Sequence, residues 1–397
     1  MMKNKDIIIT GLQSWDIPIG SNALDIATEM AKNNRVLYVN SPMDYMTRFK
    51  NKPTPENIHR LKVIRGQISP IRHVAPQLWV LDLPFLVWSV NGLPDGWMFD
   101  WANRINNRKI FRYVRMAASE LGFKDVIHYI DNDIYRSYYS KEFLSPVLSV
   151  YYRRDNLQPF PYWKKHVARL EPKLIEKSDL VLCNSPQIAA FAQPYNTHTE
   201  IVGSGVDISA YDPERDFTVP ESMAHIPTPR IGYIGDITSL RLDPELIYHA
   251  ASKSPGYSFV MIGGEDDVFK AHRLHELKNV YFLGSVPKIE VARYMAAMQV
   301  CTNPQLVNEI TIGNYPRKAD EYLAMGKPVV ATYTKAMELF WDHVYLSKSP
   351  EEFKQSIERA LMEDCPEKRA ARIRFARSHS WEANVSGIYR HIEAHLN

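Results

Sequence analysis

The chain has 397 residues, 45% hydrophobic and 23% charged, with 48 basic against 45 acidic side chains and a formal charge of +3. At about 150 residues per domain that length asks for more than one domain, and disorder is excluded because it needs low hydrophobicity and high net charge. The near-neutral balance argues against a chain-wide nucleic-acid footprint, so no nucleic-acid partner is expected.

Cys183, Cys301 and Cys365 are far apart and form no C-x-x-C pair, which speaks against a disulfide framework or a zinc ribbon. The opening MMKNKDIIITGLQ lacks the apolar core of a signal peptide. The most apolar stretch, LWVLDLPFLVWSV (78–90), is broken by Asp82 and Pro84 and is too short to cross a bilayer. A cytoplasmic, non-integral protein is therefore expected.

In chain order the first strands are DIIIT (6–10), RVLYV (35–39), LWVLDL (78–83), DVIHYI (125–130), VLSVYY (147–152) and DLVLCN (179–184). They lack clean polar alternation, as strands covered on both faces do. Helices are expected between them, among them 23–34 and 163–178. Residues 207–229 hold four prolines and no periodicity, and 211–229 is expected to be a linker after a first domain over 1–210. The β-helix-β rhythm restarts with RIGYIG (230–235), YSFVMIGG (257–264), NVYFLG (279–284), QVCTN (299–303) and KPVVAT (327–332). The fold class is α/β: two Rossmann-like, doubly wound domains, the second over 230–379, facing across a cleft that would hold the ligand. A terminal helix over 380–397 is expected to cross back to the first domain.

The segment NEITIGNYPRKADEYLAMGKPVVAT (308–332) carries the chemistry. Pro316 suits the first helical position and Gly326 the end, which predicts a helix over 316–325. Amides of Thr311, Ile312, Gly313 and Asn314 before it, with the helix dipole, make an anion site. Arg317 and Lys318 in the first turn are unfavourable there unless an anion bridges them, and a diphosphate would do so. Glu321, one turn below, suits a ribose diol; it equally suits an ion pair with Arg317. In the first domain, Gly20 and Ser21 precede a helix, where amides would face a phosphate or simply make a turn.

The run P-x-K-x-x-E-Y-L-A-x-G-K-P-V-V, here Pro316 to Val330, resembles the nucleotide-sugar site of retaining B-type glycosyltransferases, family 4 in particular. N-E-I-T (308–311) is similar to a subgroup acting in teichuronic-acid and capsule-type polysaccharide synthesis. IGYIGDI (231–237), NVYFLGSVP (279–287), SDLVLCNSP (178–186), GSGVDISAYDP (203–213) and SHSW (378–381) resemble further family segments.

The resemblance implies a hexosyltransferase that takes a nucleotide diphosphate sugar and retains its anomeric configuration. The acceptor would be a surface polysaccharide or a lipid-linked saccharide. By the same resemblance Glu321 binds the ribose, Lys318 and residues 311–314 the diphosphate and sugar, Glu309 the sugar hydroxyls, and the backbone near Val286 the base. Gly235 and Asp236 stand in the phosphate loop, with Arg241 its remaining basic candidate. No cofactor and no metal are expected.

The sequence departs from the family pattern at several points. The family spaces its two glutamates eight apart, whereas position 313 is Gly here and Glu309 lies twelve before Glu321. The first-domain histidine is replaced by Arg153, Arg154 and Asp155, with Asp155 either a polar contact to substrate or a local cap. These departures leave room for a non-catalytic nucleotide-sugar-binding subunit, and the scaffold also suits a nucleotide-sugar epimerase. Asp131-Asn132-Asp133 is a D-x-D triplet for which no metal is expected, and GGEDD (263–267) reads as a solvated loop. WMFDWANRINNRKIFRYVR (97–115) interleaves basic and aromatic residues. It is either a peripheral contact with the inner face of a membrane or a helix packing its aromatic face inward.

Overall fold

The computed structural model describes residues 2–17, 21–50, 52–207, 210–309, 311–313 and 315–396. The chain forms two compact units, Met1–Gly203 with Asn384–Asn397, and Ser204–Ala383.

The first unit is built on β1 (Asp6–Gly11), β2 (Arg35–Val39), β3 (Ile71–Ala75), β4 (Leu78–Leu81), β5 (Ile127–Asp131), β6 (Leu148–Arg153), β7 (Leu180–Cys183) and β8 (Thr199–Ile201). Their order is β3-β4-β2-β1-β5-β6-β7-β8. All neighbours are parallel except β3 against β4. Ile7, Ile8 and Ile9 in β1, like Val150 to Tyr152 in β6, are fully buried on both faces, which is why these runs show no alternation. The helix Asn22–Met30 starts on Ser21, whose side chain accepts from the Leu24 N–H, and buries Ile26, Ala27 and Met30.

The second unit carries β9 (Arg230–Ile234), β10 (Ser258–Ile262), β11 (Val280–Phe282), β12 (Val300–Asn303), β13 (Val329–Thr332) and β14 (Tyr345–Ser347). They form one parallel sheet ordered β11-β10-β9-β12-β13-β14.

The expected linker is a correction. Tyr211, Met223 and Ile226 are buried in the second unit's core. Three arginines of that unit hold its carbonyls: Arg369 to Pro213 at 3.1 Å, Arg293 to Thr218 at 2.9 Å and Arg230 to Ile226 at 2.9 Å. Prolines mark irregular backbone, and irregular backbone packs when it carries large apolar side chains and finds donors for its carbonyls. The closing helix Trp381–Leu396 belongs to the first unit from Asn384 onward. There Asn384 donates to the Val202 carbonyl at 2.7 Å, and Asn34 to the Tyr389 hydroxyl at 2.9 Å.

Candidate functional site

The second sheet reverses its winding at β9, whose neighbours β10 and β12 lead away on opposite sides. Open α/β sheets bind ligands beyond the carboxyl ends of their strands at such a reversal. The segments leaving β9 and β12 are braced there. Leu306 N–H donates to the Arg241 carbonyl at 2.8 Å and Asp243 N–H to the Pro304 carbonyl at 3.0 Å. The Asn308 amide reaches the Leu240 carbonyl at 2.9 Å. The Arg241 backbone is thus fixed while its side chain stays exposed.

Gly235 follows β9 with φ +146°, and the Lys318 side chain lies across it. A Cβ at this position would come within 2.3 Å of Lys318 Cε and 2.4 Å of Nζ. The Gly235 carbonyl rests against Gly263, at φ +152°, where a Cβ would sit 1.8 Å from that oxygen. Only glycine fits such a close approach at positive φ. The Tyr233 hydroxyl donates to the Asp236 carbonyl at 3.1 Å, and the Lys318 ammonium stands 5.6 Å from the Tyr233 ring centre. The Asp236 side chain is exposed.

Lys318 arrives there because of the helix Arg317–Ala324. It begins after Pro316 without a side-chain cap and buries Ala319, Asp320, Tyr322 and Leu323. The Tyr322 hydroxyl accepts from Ile234 N–H at 3.1 Å, which seats the helix on the end of β9. Lys318, one turn earlier, then falls over Gly235. Lys327 N–H donates to the Tyr322 carbonyl at 3.0 Å and Gly326 N–H to that of Leu323 at 2.9 Å, a Schellman ending. Glu321 is half-buried and stands close enough to Tyr211 for its charge to act on the hydroxyl. Burial, and then the Glu321 charge, push the Tyr211 pKa far above its usual value.

The amide cradle expected at 311–314 differs from this geometry. Thr311 N–H bonds the Asn308 side chain at 3.1 Å, and Ile312 N–H bonds the Asn308 carbonyl at 2.9 Å. The Thr311 hydroxyl is buried and donates to the Leu306 carbonyl. Asn308 therefore closes an Asx-type turn that uses the donors assigned to an anion. Gly313 is buried, the Ile312 side chain is exposed and Glu309 is exposed on the same turn. Val286 is half-buried against the core of this unit. Gly20 and Asn314 lie outside the described residues.

In the first unit Asp155 is not a helix cap. Its carboxylate accepts from Arg154 at 2.8 Å, and Arg154 also binds Asp131 at 2.6 Å and Gln13 at 2.6 Å. Asp131 is fully buried, and burial raises its pKa against the pull of Arg154. Arg153 points the other way, as strand alternation requires, and grips the fully buried Glu171 at 2.9 and 3.1 Å. Asp133 pairs with Arg136 at 2.9 Å, so the two acids of the D-x-D triplet hold different arginines. In GGEDD, Asp266 accepts from Ser239 at 2.7 Å and Glu265 pairs with His275 at 2.9 Å. Among the described residues one trio of metal-type side chains gathers, Asp16, His59 and Asp82. Arg72 already bridges its two carboxylates, at 2.7 and 3.0 Å.

Two residues at the site escaped sequence reasoning. Asp320 is fully buried and accepts from the Tyr315 hydroxyl at 2.7 Å and from His379 Nδ1 at 2.8 Å. Burial raises its pKa. The signal was available: Asp320 shares a helix face with Leu323 and Ala324, and a carboxylate on an apolar face needs partners. Tyr211 gave no such signal, because its contact with Glu321 joins positions far apart in the chain.

Residues 228–363 match the family of Glycosyl transferases group 1. A Bacillus subtilis (strain 168) protein named as a teichuronic acid biosynthesis glycosyltransferase, TuaH, is 26% identical over 251 residues. That alignment covers 57% of this chain and 62% of the relative. Among solved structures, a glycosyltransferase from Rickettsia africae ESF-5 superposes with a TM-score of 0.67 at 14% identity, covering 99% of both chains. Anabaena Alr3699/HepE in complex with UDP gives 0.66 at 16% identity, over 98% of this chain and 100% of that one. The fold is therefore the B-type glycosyltransferase fold, with two Rossmann-like domains, and the match to the group 1 glycosyltransferase family falls within the second unit.

Proposed function

We propose that the second unit binds a nucleotide diphosphate sugar and that the protein transfers its sugar, a hexose, to a surface-polysaccharide or lipid-linked saccharide acceptor with retention of configuration. The reading rests on one juxtaposition: the Lys318 ammonium laid over the Gly235 backbone, at the sheet's reversal. A cation held against bare backbone, at an uncapped helix N-terminus, suits a diphosphate. The family match over 228–363 supports the same donor. The teichuronic acid relative supports the polysaccharide acceptor.

In this reading Lys318 and Arg241 neutralise the diphosphate, so no metal is needed. Glu321 takes the ribose hydroxyls, and Glu309 with the turn at Ile312 and Gly313 meets the sugar. Backbone groups near Val286 hold the base. The bond from the anomeric carbon to the diphosphate breaks as the acceptor oxygen bonds that carbon. The acceptor's proton passes to the departing phosphate oxygen. Lys318 acts by stabilising charge that grows on that oxygen. Asp155 and Arg154 are the proposed polar contacts of the first unit.

Thermal unfolding against a panel of nucleotide sugars tests this, with UDP-sugars first because the Anabaena structure holds UDP. A donor at a hundred times its Kd stabilises by about 2.7 kcal/mol. Lys318→Ala and Glu321→Ala are each expected to weaken donor binding about 10- to 100-fold, the loss of one charged hydrogen bond. If both variants respond like the wild type, the site is misassigned. Transfer to a saccharide acceptor, against donor turnover without one, separates the transferase from an epimerase.

A further inference from the structure

The helix Trp97–Glu120 of the first unit buries Phe99, Ala102, Ile110, Phe111 and Val114. Its opposite face carries a stripe of Trp97, Trp101, Arg104, Arg108, Arg112 and Arg115, three or four residues apart. Trp97 is 77% and Trp101 56% exposed. A helix covering a sheet turns its large apolar groups inward; this one also turns two indoles outward among guanidinium groups.

The patch continues beyond the helix. The Trp101 ring leans on Trp88 at 5.3 Å. Tyr45 N–H donates to the Val87 carbonyl and Met46 N–H to the Ser89 hydroxyl at 2.9 Å, which sets the helix Tyr45–Lys50 alongside. That helix exposes Phe49 to 84% and ends on Arg48 and Lys50. The acidic neighbours are engaged elsewhere. Asp100 pairs with Arg169 at 2.9 Å, and Asp44 accepts from the Ser89 hydroxyl at 2.7 Å and from Thr47 N–H at 2.8 Å.

We infer that this face docks the protein on an anionic lipid surface, the indoles entering the headgroup region and the arginines meeting lipid phosphates. Exposed aromatic side chains ringed by cations match that chemistry. A second copy of the same face would bring like charges together, which disfavours a symmetric dimer there. Among the described residues no helix is long and apolar enough to cross a membrane, so the contact is one of lying on the surface.

Flotation of the full chain with phosphatidylcholine vesicles, with and without phosphatidylglycerol, tests the inference independently of any sugar donor. The protein is expected to float with the anionic vesicles, to be released by salt, and to show a blue shift of tryptophan emission. Arg108→Gln with Arg112→Gln should weaken partitioning about 25-fold, roughly fivefold per arginine. Trp97→Ser with Trp101→Ser should weaken it about tenfold or more, with thermal unfolding unchanged in both. Equal binding to neutral vesicles, failure to float, variants that float like the wild type, or self-association abolished by the tryptophan changes would each overturn the assignment.

Discussion

The basic residues singled out in the two units are held in opposite ways. In the first, acid and base are matched inside the fold: Arg154 with Asp131 and Asp155, Asp133 with Arg136, Arg153 with Glu171. In the second, Lys318 rests on the Gly235 backbone and beside the Tyr233 ring, neutral groups both. Charge spent internally holds a fold in one arrangement. Charge laid against neutral backbone is left for a ligand. Damage to the Arg153–Glu171 pair and damage to Lys318 should therefore read out differently, the first as lost stability and the second as lost binding.

The sharpest way to break this contrast is Glu171→Ala. Arg153 and Glu171 are 2% and 0% exposed, and Tyr151 adds a third bond to the same carboxylate at 2.9 Å. Removing the acid strands a buried guanidinium, which costs about 3–5 kcal/mol. Urea denaturation should show that loss. Lys318→Ala, on a half-buried surface, should move unfolding by no more than about 0.5 kcal/mol while weakening donor binding about 10- to 100-fold. If Lys318→Ala is as damaging to stability as Glu171→Ala, the distinction between the pair and Lys318 fails.

A pH titration sharpens the account of the first unit. His128 lies fully buried in β5 with Nε2 at 3.0 Å from the Thr10 hydroxyl, and burial pushes its pKa down to about 3. The unfolded chain, with an ordinary imidazole, takes up the proton below about pH 6.5, while the native state refuses it until about pH 3. Stability must therefore fall as pH drops through that window, by about 2 kcal/mol at pH 5. Denaturation at pH 7 and pH 5 measures it, and His128→Gln should flatten the slope. A wild-type slope that survives the substitution would place the proton elsewhere.

How far the sequence foretold this structure follows from where each signal lies. The central strands announce themselves because both faces are buried, so β2 runs over Arg35–Val39 as the apolar run does. The edge strands β3, β8 and β14 do not: IRHVA is half polar and exposed, and the other two hold three residues each. At the site, Pro316 and Gly326 bracket the helix as expected, and it runs over Arg317–Ala324. The donors at Thr311 and Ile312 were misjudged because a turn can satisfy its own amides, and Asn308, three residues ahead, does so. The alternation that sends Arg153 inward and Arg154 to Asp131 was present in the strand period, yet two adjacent arginines gave no sign of which one was buried.

The smallest effect tests the contact that only the fold reveals. Tyr211 is buried in the second unit's core with its hydroxyl beside the Glu321 carboxylate. Tyr211→Phe keeps the ring and its packing and removes only that donor, so stability should fall by about 1 kcal/mol, the net worth of one hydrogen bond to a charged group or slightly less. Glu321 would then lose the restraint that aims it. Donor binding measured by calorimetry should weaken about three- to tenfold, the entropy of re-ordering one carboxylate side chain. Glu321→Gln combined with Tyr211→Phe should weaken binding no more than Glu321→Gln alone, because two residues that act through one contact do not add. Full additivity in that double-mutant cycle would mean that Tyr211 supports the core and nothing more, and that Glu321 holds its position by the helix alone.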